Sequence, residues 1–276
     1  PVVDYIAPQQ WVWAFSQKDS AKIVGNSDLM LAIFKAEASY FEGFGAKTAW
    51  VGHPLVDRFP APPDRLAVRQ KLGLDPLAKV VTLLPASRNQ EVKYLLPTVC
   101  EAARQLQAKV PEVQYLMPVS APQFRPIFQQ ACEQYGLQAQ VVDGQTQDAI
   151  AAADLAITKS GTANLEIALM NVPQVVTYRL NPFSAWIGQH ILKFSIPFVS
   201  PVNLVEMKPI VPELIQWQAT PEAIVETALD LLTNETSRQQ MLSGYASMRR
   251  ALGEPGACDR AANEILNLLQ TRQAQV

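Results

Sequence analysis

The chain has 276 residues, 49% hydrophobic and 17% charged, with a formal net charge of −2. That length allows one or two packed domains, and so slight an acidic balance excludes a nucleic-acid binder, whose affinity needs a concentrated basic surface. No run of lysine or arginine marks a polybasic anchor, and no uninterrupted apolar run is long enough to span a bilayer.

The chain opens on Pro1 and runs into Val2-Val3-Asp4-Tyr5-Ile6, which reads as a strand. A natural start would carry methionine, so an N-terminal part is expected before Pro1. Asp28 to Phe34 reads as a strand, Lys35 to Phe44 as a helix, and Thr48 to Val51 as a strand. Apolar runs interleaved with helices in this way predict parallel strands covered on both faces. With only about 55 residues before the next break, this segment alone is a marginal domain.

The break is Phe59-Pro60-Ala61-Pro62-Pro63, where each proline removes a backbone donor and restricts its predecessor. Asp64 follows as an N-cap, and Gly73 closes the short helix after it. A second alternating series then begins. Val80 to Leu84 is a strand, Gln90 to Lys109 one long helix, and Val113 to Met117 a strand. Pro122 to Tyr135 is a helix ended by Gly136, Gln140 to Val142 a strand, and Thr146 to Ala153 a short helix. Leu155 to Thr158, the helix Thr162 to Met170 and the strand Gln174 to Tyr178 complete the alternation. From Thr220 onward the pattern is helical, with helices expected over Pro221 to Leu232 and Ser237 to Leu252.

The fold class is therefore α/β: two Rossmann-like doubly wound parallel sheets, the first incomplete, followed by C-terminal helices. The predicted divisions are 1–60, 61–235 and 236–276. Three scattered cysteines, Cys100, Cys132 and Cys258, fit a reducing cytosol, each as a small buried hydrophobe. Two histidines without an i,i+4 partner, His53 and His190, make a histidine-based metal site unexpected.

Open α/β sheets bind ligands at the carboxyl ends of their strands, and two strand-to-helix loops there carry polar chemistry. In Leu84-Pro85-Ala86-Ser87-Arg88-Asn89-Gln90-Glu91-Val92, Ser87 offers a hydroxyl and Arg88 a planar fork suited to phosphate, beside the N–H groups of a helix start. A capping box of Ser87 with Glu91, beside a solvated arginine, explains the same residues equally well. In Thr158-Lys159-Ser160-Gly161-Thr162-Ala163-Asn164-Leu165-Glu166, small residues allow close approach of a ligand. Thr162 and Glu166 share a helix face, and the carboxylate can accept two vicinal hydroxyls, as a ribose presents them. The bland alternative is that Ser160 and Thr162 cap the helix and Glu166 complements its dipole. Together the loops suit a nucleoside diphosphate, one supplying diphosphate donors and the other a ribose acceptor. The absence of G-x-G-x-x-G and of G-K-[ST] leaves dinucleotide-cofactor and P-loop readings unsupported.

Five segments occur in the order and spacing of lipid-A-disaccharide synthases. They are Ala7-Pro8-Gln9-Gln10-Trp11-Val12-Trp13-Ala14, Val51-Gly52-His53-Pro54-Leu55-Val56-Asp57, Leu84 to Val92, Ser160 to Glu166, and Pro201-Val202-Asn203-Leu204. The chain resembles that family over essentially its whole length. It departs at Ala86, where the family usually has glycine, and at Trp13-Ala14-Phe15-Ser16, where the family favours a second tryptophan followed by arginine.

The resemblance implies a GT-B-like fold, with residues 1–60 the remainder of an N-terminal acceptor-side domain and 61–235 the UDP-sugar-binding domain. The C-terminal helices would pack back on the body. It implies an inverting hexosyltransferase of lipid A biosynthesis in Gram-negative-type bacteria. The reaction moves 2,3-diacylglucosamine from UDP to 2,3-diacylglucosamine 1-phosphate, forming a β-1,6 disaccharide. Ser87 and Arg88 would contact the diphosphate, and Glu91 is a substrate-binding candidate with them. Ser160, Gly161 and Thr162 would form the second nucleotide loop, Glu166 would bind ribose, and Asn203 would help close the donor site. Arg179 is a further substrate-binding candidate, an ion pair being its structural alternative. No cofactor or metal is implied. Inverting transfer needs a base to deprotonate the acceptor hydroxyl, and the resemblance places that base before residue 1; Asp4, Asp19 and Asp28 have no motif supporting them.

The implied partners are UDP-diacylglucosamine and an acylated glucosamine phosphate, with a cytoplasmic location peripheral to the inner face of the inner membrane and a homodimer as a further expectation. Asn181 to Phe194 places Phe183, Trp186, Ile187 and Ile191 near one helical face, either as an interfacial helix or as an amphipathic cover for the sheet. Three alternatives stay open at this stage. They are another GT-B enzyme such as a UDP-N-acetylglucosamine epimerase, a transferase to another lipid acceptor, and a UDP-binding fragment without activity.

Overall fold

The computed structural model describes residues 1–13, 16–179, 181 and 198–273. The elements begin with β1 (Val3–Tyr5), α1 (Gln10–Trp13), α2 (Gln17–Gly25), β2 (Leu29–Ala32), α3 (Lys35–Glu42), β3 (Thr48–Trp50) and α4 (Leu55–Arg58). Then come α5 (Arg65–Lys71), β4 (Val80–Leu84), α6 (Asn89–Tyr94), α7 (Leu96–Lys109), β5 (Gln114–Val119), α8 (Arg125–Tyr135), β6 (Ala139–Asp143) and α9 (Thr146–Ala152). The series closes with β7 (Leu155–Lys159), α10 (Ala163–Leu169), β8 (Gln174–Tyr178), α11 (Pro201–Glu206), β9 (Glu213–Ile215), α12 (Pro221–Thr233), α13 (Glu235–Leu252) and α14 (Ala257–Gln273). The chain forms two compact units. One comprises Pro1–Pro60, Leu204–Glu206 and Ala246–Val276, the other Ala61–Asn203 and Met207–Tyr245.

In the smaller unit three parallel strands lie in the order β1-β2-β3. Every residue of the central β2 is buried. Glu37, buried in the first turn of α3, accepts the Ile33 and Phe34 amides at 2.7 and 3.3 Å, so the turn after β2 is capped from inside. Burial pushes its carboxyl above the usual range and those two bonds oppose the rise. The cover that a three-stranded sheet lacks comes from the far end of the chain: Ala261, Ile265 and Leu268 of α14 pack with Leu29, Leu31 and Val51.

The Val51–Asp57 segment latches that helix. The Asp57 carboxylate accepts the Gly256, Ala257 and Cys258 amides that open α14, satisfying donors no helical carbonyl can reach. Arg260 Nε donates to the Val51 carbonyl at 2.9 Å. Gly52 and Gly253 both have positive φ, 84° and 99°, and a Cβ on Gly253 would stand 3.3 Å from Gly52 Cα. His53 donates its amide to Leu252 O at 2.9 Å, and its ring lies against Phe34. Burial drives the His53 pKa down to about 4, so the ring is neutral.

The larger unit holds six parallel strands in the order β6-β5-β4-β7-β8-β9. Counted along the unit this is 3-2-1-4-5-6, the doubly wound Rossmann order, with its switch point between β4 and β7. One core layer joins Val80 and Leu116 to Leu74 and to Ala149 and Ala152 of α9, while α7 packs against α12. The Asp154 carboxylate anchors the opposite end of the sheet from the switch-point loops. It pairs with Arg65 at 3.2 Å and Arg69 at 2.7 Å and accepts the Val80 amide at 2.9 Å.

Three expectations change. The helix expected over Gln90–Lys109 is two helices broken at Leu95, because Pro97 has no N–H and its ring opposes a helical carbonyl four residues back. A strand not read from the sequence, β9, forms at the edge beside β8; three residues are too few to display a period. Cys100 and Cys132 are buried as expected, but Cys258 is exposed in the first turn of α14, where Asp57 takes its amide and also pairs with its thiol. The expected interfacial stretch after Asn181, with His190, lies outside the described residues. No helix among the described residues is long and apolar enough to cross a membrane.

Candidate functional site

The switch point brings together both loops singled out in the sequence. β4 and β7 pair in register, Leu84 opposite Thr158, so Ser87–Glu91 and Ser160–Glu166 leave the sheet side by side at its carboxyl edge.

The first loop is shaped by Glu91. Its Oε2 accepts the Ser87 amide at 2.6 Å, the Arg88 amide at 3.1 Å and the Ser87 hydroxyl at 3.2 Å. Glu91 is therefore the acceptor that closes the turn, and Ser87 donates to it where a capping serine would accept. Arg88 occupies the N-cap position of α6, and both Ser87 and Arg88 are exposed. Ser120, just past β5, donates to the Ala86 carbonyl at 3.0 Å and fixes the start of the loop.

The second loop is held from inside its own helix. Asn164, fully buried, accepts the Gly161 amide at 2.8 Å and donates to the Lys159 carbonyl at 3.1 Å. Gln174 donates to the Asn164 carbonyl at 3.0 Å. Ser160 donates its hydroxyl to Val199 O at 2.6 Å, and Thr162 is exposed and makes no side-chain cap. The cap is thus Asn164, where Ser160 or Thr162 had been the bland expectation. Glu166 is half-buried in the first turn of α10.

Asn203 and Arg179 lie deeper. Asn203 is 1% exposed, donates to Val211 O at 2.9 Å and Glu213 Oε1 at 2.7 Å, and accepts the Ile210 and Val211 amides, both at 2.8 Å. Those bonds use the capacity of its amide group. Arg179 donates to Thr98 Oγ1 at 2.7 Å and to Gln216 O at 3.2 Å, neutral acceptors where an ion pair had been the structural alternative.

Four residues near these loops were not among the sequence candidates. Glu213 accepts the Val199 and Ser200 amides at 2.8 and 2.9 Å, so it supports the backbone that Ser160 holds. Burial raises its pKa and the three hydrogen bonds oppose the rise. The Tyr178 phenol, at the end of β8, is raised by burial and by the charge of Glu91, with Arg88 opposing. Lys159, the last residue of β7, places Nζ 3.6 Å from Glu91 Oε1. Asn164, the fourth, was quoted inside its loop without a role. Only the strand-end positions of Lys159 and Tyr178 could have flagged them.

The comparisons bear on what this edge serves. A family model described as lipid-A-disaccharide synthetase matches residues 1–266. A lipid-A-disaccharide synthase of Gloeothece citriformis is 55% identical over 97% of this chain and 70% of its own length. That of Synechocystis is 48% identical over 99% of this chain and again 70% of its own. The chain belongs to the lipid-A-disaccharide synthase family. It is a hexosyltransferase of lipid A biosynthesis by that membership, which takes precedence over the epimerase alternative. A UDP co-structure of S. aureus MnaA superposes with a TM-score of 0.61 at 16% identity, covering 90% of this chain and 62% of that one. A UDP-GlcNAc 2-epimerase from Neisseria meningitidis, bound to UDP-GlcNAc, gives 0.59 at 12% identity, covering 87% and 61%. At such identities these neighbours show a shared GT-B-type α/β architecture only.

Proposed function

We propose that the switch-point edge of the larger unit holds the UDP of a UDP-diacylglucosamine donor. The observation that carries this reading is the register of β4 with β7, which sets Arg88 and the Ser160–Glu166 loop side by side. Arg88, exposed at the start of α6, supplies a bidentate cation for the diphosphate. Gly161 lets the second loop approach it, and Glu166 accepts the ribose hydroxyls. Ser87 and Glu91 shape the first loop, and Asn203 shapes the Val199–Val211 backbone from within. Solved neighbours described with UDP or UDP-GlcNAc support a nucleotide-sugar ligand by analogy of fold.

In the transfer, the acceptor hydroxyl oxygen forms a bond to the anomeric carbon on the face opposite the diphosphate. The anomeric C–O bond breaks and its electron pair leaves with UDP, while the acceptor proton passes to a base. The charge growing on the departing diphosphate is what Arg88 is placed to stabilise, and the reading calls for no metal. The acceptor is 2,3-diacylglucosamine 1-phosphate. The acyl chains of both substrates favour work at the inner face of the inner membrane, with the protein peripheral there and paired with a second copy of itself.

Product analysis tests the reading. With UDP-diacylglucosamine and the acylated acceptor, a β-1,6 disaccharide should form in step with UDP. UDP release without disaccharide would contradict the acceptor assignment. No turnover with intact UDP binding would identify a donor-binding fragment.

A further inference from the structure

Lys159 stands where the two loops meet. It ends β7, opposite Thr177 in β8, and the chain enters the second loop at the next residue. Its side chain is only 18% exposed, and its ammonium points at the first loop, 3.6 Å from Glu91 Oε1. That is a loose pair. Charge-assisted hydrogen bonds close to about 2.7–2.9 Å, as Lys71 does with Asp148 and Arg69 with Asp154, both at 2.7 Å. Glu91 does not depend on the lysine for its place, since its other oxygen is held by the Ser87 and Arg88 amides and the Ser87 hydroxyl. The ammonium also lies over Gly161: a Cβ there would come within 2.8 Å of Nζ. The glycine therefore leaves space for a cation as well as for a ligand.

We infer that Lys159 is a diphosphate ligand, resting loosely against Glu91 and turning to the phosphate oxygens when the nucleotide enters. This rests on the assignment of UDP to the switch-point edge. A diphosphate laid between Arg88 and Ser160–Gly161 would meet the negative charge of Glu91 at close range. An ammonium between them offsets that repulsion and offers three donors to the incoming oxygens. Lysine serves here as a mobile point charge, while Arg88 serves as a fixed planar fork.

The test compares the full chain with Lys159→Met and Lys159→Arg, titrated with UDP, UMP and uridine by calorimetry and, for the nucleoside, by NMR shift changes. Lys159→Met should weaken UDP binding about tenfold to a hundredfold, weaken UMP less, and leave uridine within about twofold of wild type. Lys159→Arg should restore part of the UDP affinity. Unchanged UDP affinity in Lys159→Met would overturn the inference. So would equal losses for all three ligands with a lowered melting temperature, the signature of a strut between loops. If wild type binds no UDP at all, the assignment of the edge itself fails, an outcome distinct from either.

Discussion

Glu91 Oε2 accepts the Ser87 amide at 2.6 Å, so a carboxylate from the first turn of α6 folds back to close the loop that precedes it. Three donors converge on that one oxygen. Glu91→Ala should release the turn, costing about 1 kcal/mol of stability, the usual value of a lost cap. Because Arg88 then loses its fixed origin, UDP affinity should fall about tenfold through the shape of the loop. Calorimetry with UDP beside a thermal melt checks both. A rise in UDP affinity would mean that electrostatic repulsion by Glu91 outweighs its shaping of the loop.

Asn203 is expected to act through folding. Its replacement by alanine leaves the Ile210 and Val211 amides and the Val211 carbonyl without that partner in a buried setting and removes one donor from Glu213. The expected cost is about 2–4 kcal/mol, from groups that keep their desolvation without their bonds. Urea unfolding of Asn203→Ala measures it. A variant of wild-type stability that had lost UDP binding would instead make Asn203 a direct ligand.

His53 gives the smaller unit a pH dependence of definite sign. Its pKa is lowered by burial from 6.5 to about 4, so the unfolded chain binds a proton that the folded chain refuses. Stability from this residue is fully present above pH 6.5 and is lost as pH falls toward 4. Across that window the slope approaches about 1.4 kcal/mol per pH unit for one proton. Urea titrations at stepped pH should show the loss, and His53→Gln should flatten it. A wild-type curve level between pH 6.5 and 5 would contradict a buried neutral ring.

Much of the candidate site was legible because strand ends and loop chemistry are local. The apolar runs at Val80–Leu84 and Leu155–Thr158 announced parallel strands, and the polar residues directly after them marked the carboxyl edge. The partners of those residues were not legible. Ser87 and Glu91 are four apart and could be paired from sequence, yet which of them accepts depends on the turn that forms. Lys159 and Glu91 are distant in sequence and meet only because β4 and β7 are neighbours in the sheet. The burial of Asn203 and its bonds to Ile210, Val211 and Glu213 were not legible either, because they depend on how the following loop folds around it. The cover for the first sheet was hidden for the same reason: the apolar spacing of α14 says that it packs, and only the latch at Asp57 says where.

The central claim, that UDP lies on the edge between β4 and β7, is tested most directly by titrating UDP into wild type and Arg88→Ala. Arg88 is exposed, so its removal should leave the melting temperature within about 1 °C of wild type. The account predicts saturable binding of UDP to wild type and an affinity at least about tenfold weaker in Arg88→Ala. Absence of binding to wild type, or equal affinities in the two proteins, would contradict it.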